Sequence, residues 1–309
     1  ASRLSENGEY SVALLEAGGT HNNPLISIPF NFAFTVPKGS HNWSFETVPQ
    51  PGLNGRIGYQ PRGKVLGGSS SINAMVYIRG AKEDYDNWQA LGNRGWSYED
   101  VLPFFRKAQN RQKGANEFHG IGGPLSVSPP RSPNPLNDTF IQAGVECQIP
   151  RNDDFNGATQ EGIGFYELTQ DNGRRCSTAH AYLTPAKNRE NLTIFKRSIA
   201  EKVMIENGRA IEVRAKIDGR AQIIRANKEV ILSCGAFQSP QLLLLSGIGP
   251  KSKLEEHKID QVLELPGVGE NLTDHLDYSL IYESDSEYCL GRNARSVFRV
   301  AMNQLQYLI

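Results

Sequence analysis

The sequence predicts an α/β domain with an inserted β-meander, and three observations lead to this fold class. Val12-Ala13-Leu14-Leu15 is a short apolar run between polar residues, which is typical of a buried strand in a parallel sheet. Four runs of alternating apolar and polar residues follow between 192 and 226, with the turn pairs Asn207-Gly208 and Asp218-Gly219 favouring hairpins. A further apolar run and a helical segment after 226 complete the α/β pattern.

The first 61 residues predict few regular elements. Residues 1–7 are interpreted as the last turns of a helix, which Gly8 ends in a left-handed conformation. The strand at 12–15 follows, and residues 20–61 are rich enough in Pro, Gly and Asn to predict irregular structure.

Helices are predicted in the middle of the chain. One or two lie within 84–109, where Ser97 followed by Asp100 is typical of a capped helix start. Residues 111–135 are expected to form a loop because prolines crowd its end, and a helix is expected around 136–146.

The last third returns to strands. The alternating runs are 192–197, 201–206, 211–217 and 221–226. Val230-Ile231-Leu232 predicts a second buried strand, and a helix at about 239–246 is expected to begin with Ser239 as its N-cap and Pro240 at its first position.

Composition and charge narrow the classes of partner. The 33 basic residues balance 33 acidic ones, so net charge gives no reason to expect a nucleic-acid partner. No stretch approaches the ~20 apolar residues that cross a bilayer. The four cysteines lie far apart, with no paired framework, which favours a reducing compartment. We therefore expect a cytoplasmic or peripherally membrane-associated protein without a transmembrane segment.

Glu16, at the end of the first strand, is the first residue of chemical interest. In a dinucleotide-binding βαβ unit, an acidic residue at this place accepts hydrogen bonds from ribose hydroxyls, about 20 residues after a Gly-x-Gly-x-x-Gly phosphate loop. Counting back by that spacing runs off the start of the chain. Taken alone, Glu16 is better interpreted as a surface residue at a strand end.

Two longer segments also point to a ligand. Residues 62–77 (RGKVLGGSSSINAMVY) combine paired glycines, which let the backbone approach a ligand, with serines that offer donors to an anion. Residues 235–249 (GAFQSPQLLLLSGIG) predict a helix whose N-terminus, with its partial positive charge, follows a tight turn. By composition alone, the first segment is equally a Gly/Ser turn before a helix, and the second a capped core helix with a glycine stop.

These two segments resemble the two signature motifs of the glucose–methanol–choline (GMC) oxidoreductase family, in the same order. Residues 174–183 (RRCSTAHAYL) are similar to the family's ST-x-x-AYL segment, and residues 265–275 (LPGVGENLTDH) to its GVG-x-NL-x-DH segment. The resemblance covers nearly the whole chain and is strongest to the bacterial choline-dehydrogenase-like branch.

The resemblance implies a fold and a domain order. The fold would be an FAD/NAD(P)-binding (Rossmann-like) α/β domain with an inserted β-meander, plus a partial α+β substrate domain. Residues 1–75 and 191–275 would form the FAD-binding domain, residues 76–190 a lid on the substrate side, and residues 276–309 the start of the substrate domain. The chain would be a fragment that lacks both ends, including the phosphate loop, so that on its own it would bind FAD weakly or not at all.

The resemblance also implies a cofactor and its contacts. FAD would be held without a covalent bond, because Ile72 occupies the position where some members carry the histidine that attaches it. Glu16 would contact the adenosine ribose with Ala17 and Gly18 beside it, the backbone of Val203 would contact the adenine, and Asn73 to Val76 would lie nearest the isoalloxazine. The implied cofactor-binding residues are Glu16, Ala17, Gly18, Gly67, Gly68, Ser69, Asn73, Ala74, Met75, Val76 and Val203.

The implied activity is oxidation of an alcohol to an aldehyde or ketone by hydride transfer to flavin N5, while a histidine takes the hydroxyl proton. That base is expected beyond Ile309, so no catalytic residue is assigned in this chain. His275 is the nearest substitute, but its surroundings match the GVG-x-NL-x-DH segment instead. The substrate would be a small alcohol, and the electron acceptor a quinone, a dye-like acceptor or oxygen.

Three alternatives stay open at this point. A hydroxynitrile-lyase-like member would keep FAD without using it in redox chemistry. A truncated product would have no activity. An unrelated α/β domain would require both long motifs to be coincidences.

Overall fold

The computed structural model describes residues 1–37, 39, 41–275, 277–284, 286, 288 and 289. Its helices are α1 (Pro24–Ser27), α2 (Phe32–Thr35), α3 (Lys82–Ala90), α4 (Tyr98–Ala108), α5 (Pro135–Glu146), α6 (Thr184–Ala186), α7 (Gly235–Leu245) and α8 (Lys251–Glu256). Its strands are β1 (Val12–Leu15), β2 (Phe45–Glu46), β3 (Tyr59–Gln60), β4 (Gln109–Arg111), β5 (Leu125–Val127), β6 (Gln170–Asp171), β7 (Arg174–Arg175), β8 (Leu192–Phe195), β9 (Ser198–Glu206), β10 (Arg209–Ile217), β11 (Arg220–Arg225), β12 (Ile248–Gly249) and β13 (Leu263–Glu264).

The chain divides into two compact units. The first unit comprises Ala1–Thr20, Lys64–Leu66 and Lys187–Leu280, and it contains β1, β8 to β13, α7 and α8. The second unit comprises His21–Gly63, Gly67–Ala186 and the described residues from 281 onward, and it contains the remaining elements. The α/β class predicted from the sequence is confirmed.

The first unit begins with a parallel strand pair. β1 pairs with β8 in the register Val12↔Leu192 to Leu15↔Phe195, so the predicted parallel strand is confirmed. The prediction that it is buried was wrong, since Ala13 is exposed and its neighbours are half-buried. The reason is that β8 is the one described strand that pairs with β1, so the pair lacks the neighbours that cover an inner strand.

The β-meander has three strands in the order β11-β10-β9. Both predicted hairpins are confirmed: Asn207 and Gly208 have φ values of 51° and 76°, and Asp218 and Gly219 have 47° and 81°. Two successive left-handed residues produce the turn whose twist matches that of the flanking strands. The run at 192–197 does not join the meander as its alternation suggested, because its first four residues pair with β1.

Two other predictions in the first unit need correction. Val230-Ile231-Leu232 forms no strand, and Ile231 is 56% exposed, because no described strand lies beside it to complete a ladder. α7 starts at Gly235, four residues before the predicted N-cap Ser239. Pro240 therefore lies inside the helix, where its fixed φ is helical and one hydrogen bond, to the carbonyl of Ala236, is lost.

The N-terminal residues form a turn rather than a helix. The amide of Ser5 donates to the carbonyl of Ala1 at 3.1 Å, which closes a single helical turn and no more. Gly8 has φ +75°, so its predicted left-handed conformation is confirmed, but it ends no helix.

The second unit confirms the predicted helices and corrects two predicted loops. At α4, Ser97 and Asp100 form a reciprocal cap in which each backbone amide donates to the other side chain at 3.2 Å. α5 begins after Asn134, whose Oδ1 accepts the amide of Leu136 at 2.9 Å. Residues 20–61 contain α1, α2, β2 and β3, and residues 111–135 contain β5, all of them too short to produce a periodic pattern.

A buried polar network stabilises the interior of the second unit. The ring of His119, which is fully buried, contacts Gln109 Oε1 through Nδ1 at 3.1 Å and Asp154 Oδ2 through Nε2 at 2.9 Å. Arg111 bridges Asp154 at 3.2 Å and the buried carboxylate of Glu167 at 2.9 Å. When one partner of a buried ion pair is removed, the charge that remains is unpaired and destabilises the fold. The network therefore makes the unit sensitive to single substitutions.

The predicted domain boundaries at 75, 190 and 275 stay a prediction. Much of the expected start of a substrate domain, 276–309, lies outside the described residues. Across the part of the chain that the structure describes, no helix is both long and apolar enough to cross a membrane.

Candidate functional site

The turn after β1 places a carboxylate at the carboxyl end of a parallel strand. The amide of Gly18 donates to Glu16 Oε1 at 2.8 Å, so the turn holds the side chain against its own backbone. Burial raises the pKa of the Glu16 carboxyl, and the Gly18 hydrogen bond offsets part of this rise. The carboxylate is therefore half-buried and oriented, which suits an acceptor for hydroxyl groups.

The backbone of this turn is fixed from two sides. Glu16 donates its amide to Phe195 O at 2.9 Å and accepts the amide of Ser198 at 2.8 Å, while Gly18 O accepts the amide of Arg197 at 2.9 Å. On the other side, Gly19 pairs with Val65, and the amide of Leu66 donates to Gly19 O at 3.0 Å. The candidate ribose-binding turn thus lies between the β8–β9 connection and Lys64–Leu66, inside the first unit.

Glycine is required at position 18 because the backbone of this turn crosses close to the backbone of Lys64 and Val65. A Cβ atom on Gly18 would overlap the carbonyl of Lys64 and the amide nitrogen of Val65. These are backbone atoms, which cannot rotate away as a side chain can. The sequence indicated Gly18 as a neighbour of the ribose, and the structure shows a packing reason for the glycine that the sequence did not reveal.

Val203 lies in β9 with its amide already engaged. The amide donates to the hydroxyl of the buried Ser246 at 2.8 Å, and that hydroxyl donates to Leu242 O at 2.6 Å. The predicted backbone contact with adenine would therefore have to use the Val203 carbonyl oxygen. Ser246 was missed in the sequence, where it reads as part of a glycine-rich helix stop.

The Gly/Ser segment forms a compact loop in the second unit. Gly67 and Gly68 have φ values of 92° and 55°, a conformation that favours glycine, and Gly68 opens a 3-10 turn that runs to Ser71. No atom of the described residues other than its chain neighbours lies within 4 Å of the position that a Cβ of Gly68 would take. The loop thus keeps an open face at Gly68, as a segment that receives a ligand requires.

The loop is closed by hydrogen bonds from two directions. The hydroxyl of Ser69 accepts the amide of Gly63 at 3.1 Å, and a Cβ on Gly63 would overlap the carbonyl of Gly68. Thr178 donates its amide to Ser70 Oγ at 2.9 Å and its hydroxyl to Gly67 O at 3.2 Å. Neither Gly63 nor Thr178 was predicted as a site residue, although both lie in segments that the sequence singled out.

Of the residues predicted nearest the isoalloxazine, three are exposed and one is buried. Asn73, Ala74 and Val76 are exposed, whereas Met75 is 4% exposed and Ile72 is 2% exposed. Met75 has φ +65°, held by its amide, which donates to Asn73 Oδ1 at 3.0 Å, and by its carbonyl, which accepts the amide of Thr169 at 2.8 Å. The strained backbone at Met75 is thus over-determined by its neighbours, as happens at functional sites.

Arg175 is the main residue that the sequence analysis missed. It is 4% exposed and donates from Nε to Ile26 O at 2.9 Å, and from Nη1 to Ser70 O at 3.1 Å and Asn73 Oδ1 at 2.9 Å. Burial lowers its pKa to about 10, which leaves it protonated at neutral pH. A cation is therefore buried directly behind the Gly/Ser loop. The available signal was β7 itself, where alternation sends one of two successive arginines inward.

The predicted site residues fall into two groups. Glu16, Ala17, Gly18 and Val203 belong to the first unit, and the residues from Gly67 to Val76 belong to the second. His275 is exposed, and its backbone amide donates to Asp274 Oδ1 at 2.9 Å. Among the described residues no cluster of His, Cys, Asp or Glu is suited to a metal ion.

Comparison with known proteins places this geometry in a family. The model of the GMC oxidoreductase family matches residues 8–277. The chain therefore belongs to the GMC oxidoreductases.

Named relatives and solved structures agree with this membership. The chain is 46% identical over 278 residues to the oxygen-dependent choline dehydrogenase of Sinorhizobium medicae, covering 90% of the chain and 50% of that protein. Pyridoxine 4-oxidase from Mesorbium loti superposes with a TM-score of 0.80 at 32% identity, over 86% of this chain and 52% of that one. An FAD-dependent oxidoreductase from Chaetomium thermophilum superposes with a TM-score of 0.81 at 30% identity, over 88% and 49%. The chain spans about half the length of the curated relatives it matches.

Proposed function

We propose that the chain forms part of an FAD-dependent enzyme that oxidises the CH–OH group of a small alcohol to an aldehyde or ketone. The observation that carries the proposal is the turn after β1, where Glu16 is held by Gly18 beside a close crossing of backbones. This turn supplies the acceptor for ribose hydroxyls in a chain that belongs to the GMC oxidoreductases.

Each unit, taken by itself, contains residues that fit one part of FAD. Glu16 is a half-buried carboxylate that accepts hydrogen bonds, as the adenosine ribose requires. The loop from Gly67 to Val76 offers an open Gly68, serine hydroxyls and the exposed amide of Asn73, with the cation of Arg175 behind it. When bound, FAD supplies the ring that accepts the hydride. Ile72 is buried and carries no nucleophile, which supports a non-covalent cofactor.

The chain's own residues bind and orient rather than transfer protons. We propose, as the resemblance to the family implies, that the base for the alcohol proton is not one of the histidines of this chain, which spans about half the length of the curated relatives. The relatives named choline dehydrogenases make choline the first alcohol to test. The electron acceptor, whether oxygen, a quinone or a dye-like compound, belongs to the same experiment, and the proposed location is cytoplasmic or peripheral to a membrane.

Cofactor binding is tested on the 309-residue chain by titration with FAD, following the quenching of flavin fluorescence. We expect saturable, weak binding that Glu16→Gln lowers further, since an amide is a poorer acceptor than a carboxylate for two hydroxyls. Glu6→Gln is the control, because Glu6 is exposed and pairs with Arg3 on the surface. Equal binding by both variants would contradict the role of Glu16.

The reaction is tested on the protein expressed from its complete coding sequence. Choline and short alcohols are added anaerobically, and absorbance near 450 nm is followed; we expect loss of the yellow colour. A protein that uses FAD without redox chemistry, as in a hydroxynitrile-lyase-like member, would keep its colour. Acid precipitation should leave the flavin in the supernatant, and a yellow pellet would contradict non-covalent binding.

A further inference from the structure

The segment from Arg175 to Thr178, part of the stretch that is similar to ST-x-x-AYL, contacts the Gly/Ser loop at several points. Thr178 holds Gly67 and Ser70, and Arg175 holds Ser70 and Asn73, so this segment supports the Gly/Ser loop at both ends. All of these residues belong to the second unit. The conformation of the loop is therefore fixed by hydrogen bonds from this segment.

The side-chain amide of Asn73 has one orientation that its partners allow. Its Oδ1 receives two hydrogen bonds, from Arg175 Nη1 at 2.9 Å and from the amide of Met75 at 3.0 Å. Both partners are obligate donors, so rotating the amide by 180° would set its NH2 group against two N–H groups. The orientation of the amide is thus determined by chemistry, and the two N–H donors of Nδ2 point away from Arg175.

Exposure and charge complete the arrangement. Asn73 is exposed, whereas Arg175 is 4% exposed, so the donors face outward and the cation stays behind them. Within the part of the chain that the structure describes, the buried Arg175 Nη2 has no hydrogen-bond partner, an unusual state for a charged group. A cation that is incompletely neutralised by its neighbours leaves a positive potential on the surface in front of it.

We propose that Arg175 is a positioning residue: it fixes Asn73 with Nδ2 outward as a hydrogen-bond donor to a carbonyl oxygen or ring nitrogen of the flavin, and its charge favours the reduced, more negative flavin. This inference rests on the proposed function for the identity of the ligand. The positioning of Asn73 by Arg175 is a property of the protein alone and can be tested without FAD.

The first test uses amide hydrogen exchange on the cofactor-free chain, read by mass spectrometry over peptides that cover 67–76. Arg175→Met removes all three hydrogen bonds, and Arg175→Lys keeps the charge and at most part of them. We expect exchange of these peptides to become about tenfold faster or more in Arg175→Met and to be partly restored in Arg175→Lys, because one hydrogen bond changes an opening equilibrium by about this factor. Arg174→Met is the matched control, since Arg174 is the exposed neighbour on the same strand. Unchanged exchange in Arg175→Lys and Arg175→Met would overturn the positioning role.

The second test uses Asn73→Asp, an exposed site where the substitution leaves folding intact. The new carboxylate still accepts from Arg175 and Met75, so loop exchange should stay at the wild-type rate. It presents an acceptor instead of a donor to the flavin, so we expect about tenfold to 100-fold weaker FAD binding and a lower midpoint potential of bound FAD. Wild-type affinity and potential in Asn73→Asp would overturn the donor role.

The two tests also separate this inference from the proposed function. If the wild-type chain binds no FAD, the protein expressed from its complete coding sequence carries the affinity and potential measurements. If that protein also binds no FAD, the proposed function fails, and with it the donor role, while the exchange data still decide whether Arg175 positions Asn73. A merely structural role for Arg175 would speed exchange without any effect of Asn73→Asp on the potential.

Discussion

Gly18→Ala is the substitution for which the structure gives the strongest expectation. The added methyl group would lie more than 1 Å closer to the Lys64 carbonyl than real Cβ atoms come to other heavy atoms. Its neighbours on that side are the backbone of Lys64 and Val65, which can move only if the strand-like contact at Gly19 and Val65 opens. The change therefore tests whether the candidate ribose-binding turn depends on this crossing.

The cost can be built from the bonds that such a shift would break. Moving the turn away from Lys64 strains three hydrogen bonds, namely those from Gly18 to Glu16, from Arg197 to Gly18 and from Leu66 to Gly19. Each contributes about 1 kcal/mol net, and overpacking in a tight site adds about 1–3 kcal/mol. Partial relaxation gives an expected loss of about 3–5 kcal/mol, which is a large fraction of the 5–15 kcal/mol typical of a folded domain.

The assay is urea unfolding of the 309-residue chain, monitored by tryptophan fluorescence and circular dichroism, with FAD titration of the folded protein. Gly19→Ala is the matched control, because nothing lies within 4 Å of its Cβ position and its φ is not left-handed. We expect Gly19→Ala to remain within about 0.5 kcal/mol of the wild type. If Gly18→Ala were as stable as Gly19→Ala, the crossing of the two backbones would be refuted as the reason for glycine at this position.

Three further outcomes are expected. Burial alone would raise the pKa of Asp154, but its hydrogen bond to His119 and the charges of His119 and Arg111 outweigh burial and lower the pKa. The lowered pKa stabilises the fold above the unfolded value of about 3.9, and this stabilisation is lost as the pH falls through the folded pKa. The urea midpoint should therefore drop less between pH 5 and pH 3 in Asp154→Asn than in the wild type or in the exposed control Asp153→Asn. Ser246→Ala should cost about 1–3 kcal/mol, since it leaves the buried amide of Val203 without its acceptor, whereas Ser252→Ala on exposed α8 should be neutral in the same unfolding assay. His119→Ala should cost about 2–5 kcal/mol, because it removes a fully buried ring and one of the two partners of Asp154, which keeps Arg111, and a loss below 1 kcal/mol would show that the network contributes little.

Local chemistry explains which elements could be predicted from the sequence. The turns at Asn207-Gly208 and Asp218-Gly219 require a left-handed backbone, which these residues favour. The pair Ser97 and Asp100 caps the first amides of α4. Each of these signals acts within four residues, and the predictions made from them are confirmed. The strand predicted at Val230-Ile231-Leu232 was wrong for the opposite reason, because a strand depends on residues distant in the sequence. An apolar run becomes a strand only when a neighbour accepts its hydrogen bonds, and that neighbour is not specified by the run itself.

The residues of the candidate site also differ in whether the sequence could indicate them. The motif residues Glu16 and Gly67 to Val76 could be proposed only through the resemblance to the GMC family, because the family's motifs lie within short, continuous segments of the chain. Arg175 and Ser246 could not, since each acts on residues more than 40 positions away, Arg175 on Asn73 and Ser246 on Val203. Alternation along β7 indicates that one of its two arginines is buried, but the partners of a long-range hydrogen bond carry no signal in the sequence, so only the fold shows that Arg175 contacts Asn73.

The glycines of the two motif segments serve two different physical purposes. Gly18 and Gly63 have no room for a side chain because backbone atoms of Lys64 and Gly68 occupy the space. Gly68 has φ +55° and open space instead, so a methyl group there would meet no protein atom and would strain the backbone by about 1–2 kcal/mol. The first kind of glycine maintains the protein's own packing, while the second leaves room that the protein does not fill. Gly208 and Gly219 in the meander turns also combine a positive φ with open space, so the backbone conformation is sufficient to explain glycine at position 68. The proposed contact with FAD would use the open side of a loop that Arg175 and Thr178 already hold in this conformation.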